Sequence, residues 1–300
     1  MGQVLESATA PVTPYQQTLR PRSLERITNT EIVIRPSSIP FSVQVRELWQ
    51  YRHLFIALVW RNVRVEFDAT RLGSAWATAR PLMFALVFAM FRNLSGAQTR
   101  VEIPYLLYVY SGLLLWTYFI DATTNSASAI RMDVALLSKV YYPRLLTPLV
   151  PAVASLLTVV VGLAPLAIMM IWTGVYPGWP ILLLPIVILP CFFLSLGLGI
   201  LVSSFSIENR DWERVLAYSL TVALWLSPVI YAPEMIPHQF VDIFHLNPMS
   251  GILMGFRAAL FEGQTLPVWE WVYSLISSIV VLALGIWAFR RTELRLVDRL

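Results

Sequence analysis

The chain has 300 residues, of which 57% are hydrophobic and 13% are charged, and its mean hydropathy is +0.65. Soluble globular domains carry about 25% charged residues, so this composition excludes an ordinary soluble protein and favours a membrane protein. The net charge of +4 comes from basic residues in short loops and does not indicate a nucleic-acid partner. The one cysteine, Cys191, lies in an apolar run, which excludes a disulfide framework.

The N-terminal region contains two different segments. Residues 1–40 are rich in Ser, Thr, Pro and Gln and lack the apolar run of a signal peptide, which predicts a disordered cytoplasmic tail. In residues 43–66, at 100° per residue, Arg46, Arg61 and Arg64 fall on one face, whereas Leu48 and Trp60 fall on the other. This pattern predicts an amphipathic helix that lies in the membrane interface.

Apolar runs of about 20 residues follow, the length at which a helix crosses a bilayer. Several contain proline, which membrane helices tolerate because neighbouring helices satisfy the freed carbonyls. The sequence therefore predicts an all-α integral membrane protein. Its six transmembrane helices are predicted at residues 74–94, 104–125, 145–172, 181–205, 215–231 and 268–289, followed by a cytoplasmic tail at 294–300.

Basic residues predict the orientation of these spans. With six spans, both termini lie on one side, and that side carries 18 of the 22 Lys and Arg residues. Short loops with this bias stay in the cytoplasm. We therefore expect both termini of this multi-pass protein to be cytoplasmic.

Enzyme and nucleotide-binding motifs are absent from the sequence. Lys139 is the only lysine and no glycine-rich loop precedes it, so the chain has no P-loop. The three histidines are scattered, and no Gly-x-Ser-x-Gly elbow occurs. We therefore expect a transport subunit with no catalytic residue, no metal and no cofactor of its own.

Intramembrane charge separates the remaining classes. An ion-coupled carrier places acidic or basic groups at mid-membrane, and the candidate here is Asp121, which either relays protons or bonds to nearby Ser, Thr and Asn residues. A membrane glycosyltransferase would need clustered carboxylates, which a lone Asp121 does not supply. The energy for transport is therefore expected to come from a partner.

Six ordered motifs resemble a known family. They are "RLGSAWATARPLMF", "YSGLLLWTYF", "LLSKVYYPRLLTP", "ENRDWERV", "LSPVIYAPEMIP" and "NPMSGILMGFRAALFEG". Their order is similar to that in the type-2 ABC permeases, the membrane subunits of ABC exporters of O-antigen, capsule or teichoic acid. The resemblance covers residues 46–293 and implies a transmembrane domain at 41–293.

The resemblance implies partners and cargo. A second copy of the chain and two P-loop ATPase subunits, which bind ATP and Mg, would complete the exporter. The complex would move an undecaprenyl-linked polysaccharide across the bacterial inner membrane to the periplasm, and O-antigen is the leading candidate for that polysaccharide. Permeases for capsule, teichoic acid, a lipid or a drug are the alternatives.

Residues 136–146 form a charged and aromatic interruption between two apolar runs. The resemblance implies that this segment is a coupling helix that docks into the ATPase, with a second contact at residues 206–215. Aromatic and apolar anchors suit such an interface; the alternatives are an interfacial loop and a solvated turn. The coupling candidates are Leu137, Lys139, Tyr141, Tyr142, Pro143, Arg144, Arg210 and Asp211.

Residues 232–263 are amphipathic and too interrupted by proline to span the bilayer. Two short helices that dip back into the outer leaflet fit this pattern, and the resemblance implies a re-entrant pair that guards the exit. A surface cap without a gating role is the alternative. The exit-gate candidates are Pro237, Phe240, Phe244, Pro248 and Arg257.

Aromatic residues recur at steps of three and four along the second span. Aromatic rings stack on the faces of sugars, so this stripe is a candidate polysaccharide path; core packing or an aromatic belt is the alternative. The path candidates are Tyr105, Tyr108, Trp116 and Phe119 in that span, Phe84 and Phe88 in the first, and Trp225 in the fifth.

Overall fold

A computed structural model describes residues 49–68, 75–95, 103–133, 142–206, 208–235, 239 and 241–297. These residues form helices and turns without a strand, as the sequence predicts. The disordered tail predicted at residues 1–40 lies outside the described residues, as do residues 43–48 of the predicted interfacial helix.

Ten α-helices make up the described part of the chain. They are α1 (Arg52–Asp68), α2 (Ala75–Ser95), α3 (Tyr105–Met132), α4 (Leu146–Ala154), α5 (Leu156–Thr173), α6 (Leu184–Ser206), α7 (Asp211–Leu226), α8 (Val241–Leu246), α9 (Pro248–Leu260) and α10 (Val268–Val297). Short 3₁₀ turns at Trp179–Leu183 and Pro233–Met235 precede α6 and α8.

Three helical stretches are long and apolar enough to cross a membrane: Leu146–Thr173, Trp179–Ser206 and Val268–Thr292. They coincide with the third, fourth and sixth predicted spans. The other three predicted spans correspond to α2, α3 and α7. At 1.5 Å per residue, the 21 residues of α2 and 28 of α3 are long enough to cross, whereas the 16 of α7 reach only about 24 Å. The six-span topology stays a prediction.

Several element boundaries differ from the predicted ones. Helix α7 ends at Leu226, five residues before the predicted end of the fifth span, because Ser227 is extended (φ −112°, ψ 148°) and Pro228 follows it. Helix α3 continues to Met132, past the predicted end at Asn125. Helix α10 reaches Val297, so part of the predicted C-terminal tail is helical.

Helix α3 is the central element of the fold. It contacts α2, α4, α5, α6, α7 and α9, and most of its side chains are buried. Helices α6 and α10 pack closely because both have glycine at the crossing. A Cβ atom on Gly197 would lie 2.6 Å from the Leu282 backbone nitrogen, and one on Gly285 would lie 2.5 Å from the Gly197 carbonyl oxygen. This framework leaves apolar faces of α2 and α7 exposed.

Candidate functional site

A buried arginine joins three parts of the chain near the end of α7. The side chain of Arg257, on α9, is 4% exposed. Its Nη1 donates to the Pro228 carbonyl at 2.7 Å, and its Nη2 donates to the carbonyls of Val229 at 2.9 Å and Tyr108 at 3.1 Å. One guanidinium therefore connects α9, α3 and the turn that follows α7.

The guanidinium of Arg257 also stacks on the ring of Tyr108, 3.5 Å from the ring centre. The Tyr108 hydroxyl donates to the Tyr231 carbonyl at 3.0 Å. Space for this arrangement depends on Gly112, where an added Cβ would lie 2.5 Å from Nη2 of Arg257. We call Tyr108, Gly112, Arg257 and the Pro228–Tyr231 turn the arginine junction.

Asn247 completes the same region. Its Nδ2 donates to the Leu226 carbonyl at 3.2 Å and to the Ser227 Oγ at 2.9 Å, while its Oδ1 accepts from the Met249 amide at 3.0 Å. One side chain thus caps the start of α9 and donates a hydrogen bond to the last carbonyl of α7. The sequence reasoning missed Asn247, although Asn followed by Pro is a recognisable start of a helix.

The structure places the predicted exit-gate residues as follows. Arg257 is at the junction, Pro248 is the first residue of α9, and the buried Phe244 on α8 stacks edge-on with His245 at 5.7 Å between ring centres. Pro237 and Phe240 lie outside the described residues. Helix α9 is buried along most of its length. The gating role and the depth of the helix pair in the membrane stay predictions.

The predicted path residues fall into two groups. Tyr108, Trp116 and Phe119 on α3 are buried inside the chain, with 6%, 2% and 3% exposed, and Tyr105 is partly buried. Buried side chains offer little surface to a polymer in this state, and their lining role stays a prediction.

The second group lies on the exposed faces of α2 and α7. Phe84 is 51% exposed and Trp225 is 60% exposed. Phe88 packs edge-on against Trp225, with 6.3 Å between ring centres. The structure therefore brings Phe88 of the first predicted span into contact with Trp225 of the fifth.

Two ion pairs hold the last turn of α3. Arg131 donates to both carboxylate oxygens of Glu213 on α7, at 2.6 and 3.0 Å. Arg61 on α1 pairs with Asp133 at 3.1 Å. The hydrogen bond to Glu213 raises the pKa of Arg131, which lies beyond the predicted span. The sequence reasoning did not pair these residues, because their partners are 72 and 82 positions away.

The predicted coupling residues are only partly described. Leu137, Lys139 and Tyr141 lie outside the described residues. Tyr142 is buried, its pKa is raised by that burial, and its hydroxyl accepts from Thr147 at 3.4 Å. Pro143 and Arg144 lie in the turn that leads into α4.

The second predicted coupling contact lies at the start of α7. Arg210 is exposed. Asp211 pairs with Arg214 at 3.5 Å, and its amide donates to Asn209. The described residues contain no group of three or more His, Cys, Asp or Glu side chains that would hold a metal. The docking roles of all these residues stay predictions.

Comparison with known proteins identifies the family. The model of the ABC-2 type transporter family matches residues 53–261, which is most of the chain. The chain belongs to the ABC-2 type transporter family. The match includes the arginine junction and the ion pairs at the end of α3.

Curated relatives align over nearly their full length. An O-antigen export system permease protein RfbA of Myxococcus xanthus is 30% identical over 254 residues, 83% of this chain and 96% of the relative. A protein of the same name from Klebsiella pneumoniae is 25% identical over 82% and 94%. The polysialic acid transport protein KpsM of Escherichia coli is 24% identical over 79% and 92%. The chain is thus an ABC-2 membrane protein similar to polysaccharide export permeases.

Replacement of Arg257 by Gln is expected to destabilise this permease. The shorter, neutral side chain leaves buried carbonyls without their donor, so the free energy of unfolding should fall by about 2–4 kcal/mol. Gly112→Ala should produce a loss of about 1–3 kcal/mol, because the new methyl group overlaps the guanidinium. Denaturation of the detergent-solubilised protein measures both effects.

Arg291→Gln is the matched control. Arg291 also stacks on an aromatic ring, Trp287, at 3.9 Å, but its side chain is exposed. Its loss should change stability by less than about 0.5 kcal/mol. Equal effects of Arg257→Gln and Arg291→Gln would show that the arginine junction contributes nothing beyond surface stacking.

Proposed function

We propose that this chain is the permease subunit of an ATP-driven exporter that moves lipid-linked polysaccharide from the cytoplasm to the periplasm. O-antigen is the leading candidate for the polysaccharide. The observation that carries the proposal is the alignment with an O-antigen export permease over 96% of its length. Export of a capsular polymer is the second candidate, because two relatives are named polysialic acid transport proteins.

The working complex contains a second copy of this chain and two P-loop ATPase subunits. ATP and Mg bind to the ATPases, since this sequence has no P-loop. The cargo is joined to an undecaprenyl lipid. The chain lies in the bacterial inner membrane with both termini in the cytoplasm, which the distribution of basic residues supports.

The polymer passes along the exposed aromatic face of α2 and α7. A polysaccharide is much longer than the membrane is thick, so it needs a continuous route that closes when empty. Aromatic side chains such as Phe84, Phe88 and Trp225 close a route by packing together and open it by stacking on sugars. The exposure of Phe84 and Trp225 on one chain supports a face that the second copy completes.

Motion of the ATPase reaches this face through α3 and α7. The predicted coupling segment, residues 136–146, begins three positions after Asp133. Arg131 and Asp133 attach the last turn of α3 to α7 and α1. A displacement of the segment is therefore passed to the first turn of α7. Trp225 lies near the opposite end of that helix.

Removal of this chain tests the proposed function. Cells without it should lose polysaccharide from the surface and accumulate lipid-linked polymer in the cytoplasm, because synthesis continues without export. Immunoblotting of surface and intracellular fractions measures both pools, and re-expression of the wild-type chain should restore them. Normal surface polysaccharide with no intracellular accumulation would refute the proposal.

Reversal of the charge at Arg131 or Glu213 tests the coupling route. Arg131→Glu and Glu213→Arg should each reduce export about tenfold, because like charges now face each other where a charge-assisted pair stood. The double exchange restores the attraction and should recover at least about half of the export rate. Quantified surface polysaccharide and co-purified ATPase are the readouts.

Arg291→Glu provides the control, since Arg291 is exposed and belongs to neither predicted coupling contact. This charge reversal should leave export within about twofold of wild type. A folded double exchange of Arg131 and Glu213 that stays inactive would argue against transmission through this pair.

Single cysteines test the path after replacement of Cys191 by Ala. Cysteines at Phe84 and Trp225 should react with a water-soluble thiol reagent, at a rate that changes when ATP drives export, because these positions line the route. Tyr108 and Trp116 should react only if the chain opens around α3. Ile168, 66% exposed on the apolar α5, is the lipid-facing control. If cysteines at positions 84 and 225 do not react while export continues, the path lies elsewhere.

A further inference from the structure

A stripe of four side chains runs along one side of α2. Trp76, Arg80, Phe84 and Phe88 are spaced four residues apart, slightly more than one helical turn. Trp76 is 52% exposed and Phe84 is 51% exposed, and the side chain of Arg80 between them is 57% exposed. An exposed arginine thus lies between two exposed aromatic rings.

The partner of Arg80 within the chain holds it loosely. Nη1 of Arg80 lies 3.8 Å from Oδ1 of Asp121 on α3, beyond hydrogen-bond distance. Two other ion pairs are shorter, with 2.6 Å between the nearest N and O atoms of Arg131 and Glu213 and 3.1 Å between those of Arg61 and Asp133. Partly exposed pairs of this kind contribute little stability, so another anion can replace Asp121 at small cost.

The location of Arg80 favours an anionic ligand. Arg80 lies in the second turn of α2, in the cytoplasmic part of the predicted first span. A charged side chain at such depth is costly unless it has a partner or reaches the interface. Guanidinium groups bind phosphate oxygens through two parallel hydrogen bonds, and they do so better than an ammonium group. A phosphate ester that is itself anchored in the membrane meets both requirements.

We propose that Arg80 binds the phosphate ester that joins the undecaprenyl lipid to its polysaccharide, with Trp76 and Phe84 packing against the groups on either side. The inference rests on the proposed function and adds an entry site for the cargo. The edge contact between Phe88 and Trp225 makes the stripe continuous with the proposed path. A cargo bound at Arg80 is therefore already placed at the start of its route.

Binding of radiolabelled undecaprenyl diphosphate to the purified permease–ATPase complex tests this site. Arg80→Gln should raise the dissociation constant about tenfold, because two charge-assisted hydrogen bonds are lost. Arg80→Lys should raise it about threefold, since the charge remains but the paired geometry does not. Asp121→Asn should leave binding equal or tighter, because it removes the competing carboxylate.

Arg291→Gln serves as the control, because Arg291 is exposed and stacks on the aromatic ring of Trp287 but does not belong to the stripe. It should leave the dissociation constant unchanged. Wild-type affinity in Arg80→Gln would overturn the proposal. Phosphatidylglycerol that displaces undecaprenyl diphosphate equally well would also overturn it, because Arg80 would then be a general lipid contact. A cysteine at position 80 that does not react with thiol reagents in the dimer would overturn it too, because a second copy would cover the site.

The two proposals fail separately. If cells without the chain lose surface polysaccharide but Arg80→Gln binds undecaprenyl diphosphate like wild type, the entry site is wrong and the export function stands. If those cells keep their surface polysaccharide, the export function is wrong, and the entry site falls with it because it has no cargo to receive.

Discussion

The fold depends on the satisfaction of backbone carbonyls where α7 stops. In apolar surroundings an unpaired carbonyl costs several kcal/mol, because water is not there to replace the lost bond. Helix α7 ends at Leu226, and the turn that follows exposes further carbonyls at Pro228 and Val229. The missing donors come from Arg257 on α9, from Asn247 just before α9 and from Tyr108 on α3. The end of α7 and the turn that follows it are therefore stable only while α3 and α9 stay packed against them.

This constraint also links α7 to α3 at two separate places. At its first turn, α7 is bonded to α3 through Glu213 and Arg131. Beyond its last turn, the Val229 carbonyl and the backbone of Tyr108 share the guanidinium of Arg257. These contacts attach α7 to α3 at both ends of α7. Since α7 also presents exposed aromatic side chains, the contacts support the proposed transmission from α3 to that surface.

Burial on α3 explains why an aromatic stripe is an ambiguous signal. Trp116 and Phe119 stand 5.4 Å apart between ring centres and are buried against other helices. Aromatic spacing at three and four residues arises equally from a helix that packs in a core and from one that lines a path. Only the neighbours of the helix distinguish the two. On α2 and α7 the same residue types remain exposed, since no helix of the chain covers them in the described structure.

The sequence by itself determined the helical class, the apolar segments and the family. Those properties depend on local composition and on ordered motifs, which can be read without knowledge of any contact. The sequence also singled out both residues of the stack but in different roles, Tyr108 as a path residue of the second predicted span and Arg257 as an exit-gate residue between the fifth and sixth. Tertiary structure alone decided that they stack together, that Asn247 caps two helices, and that Arg131 meets Glu213. These pairs are separated by 20 to 149 positions along the chain, and a residue's distant partners are set by how helices pack rather than by its neighbours in sequence.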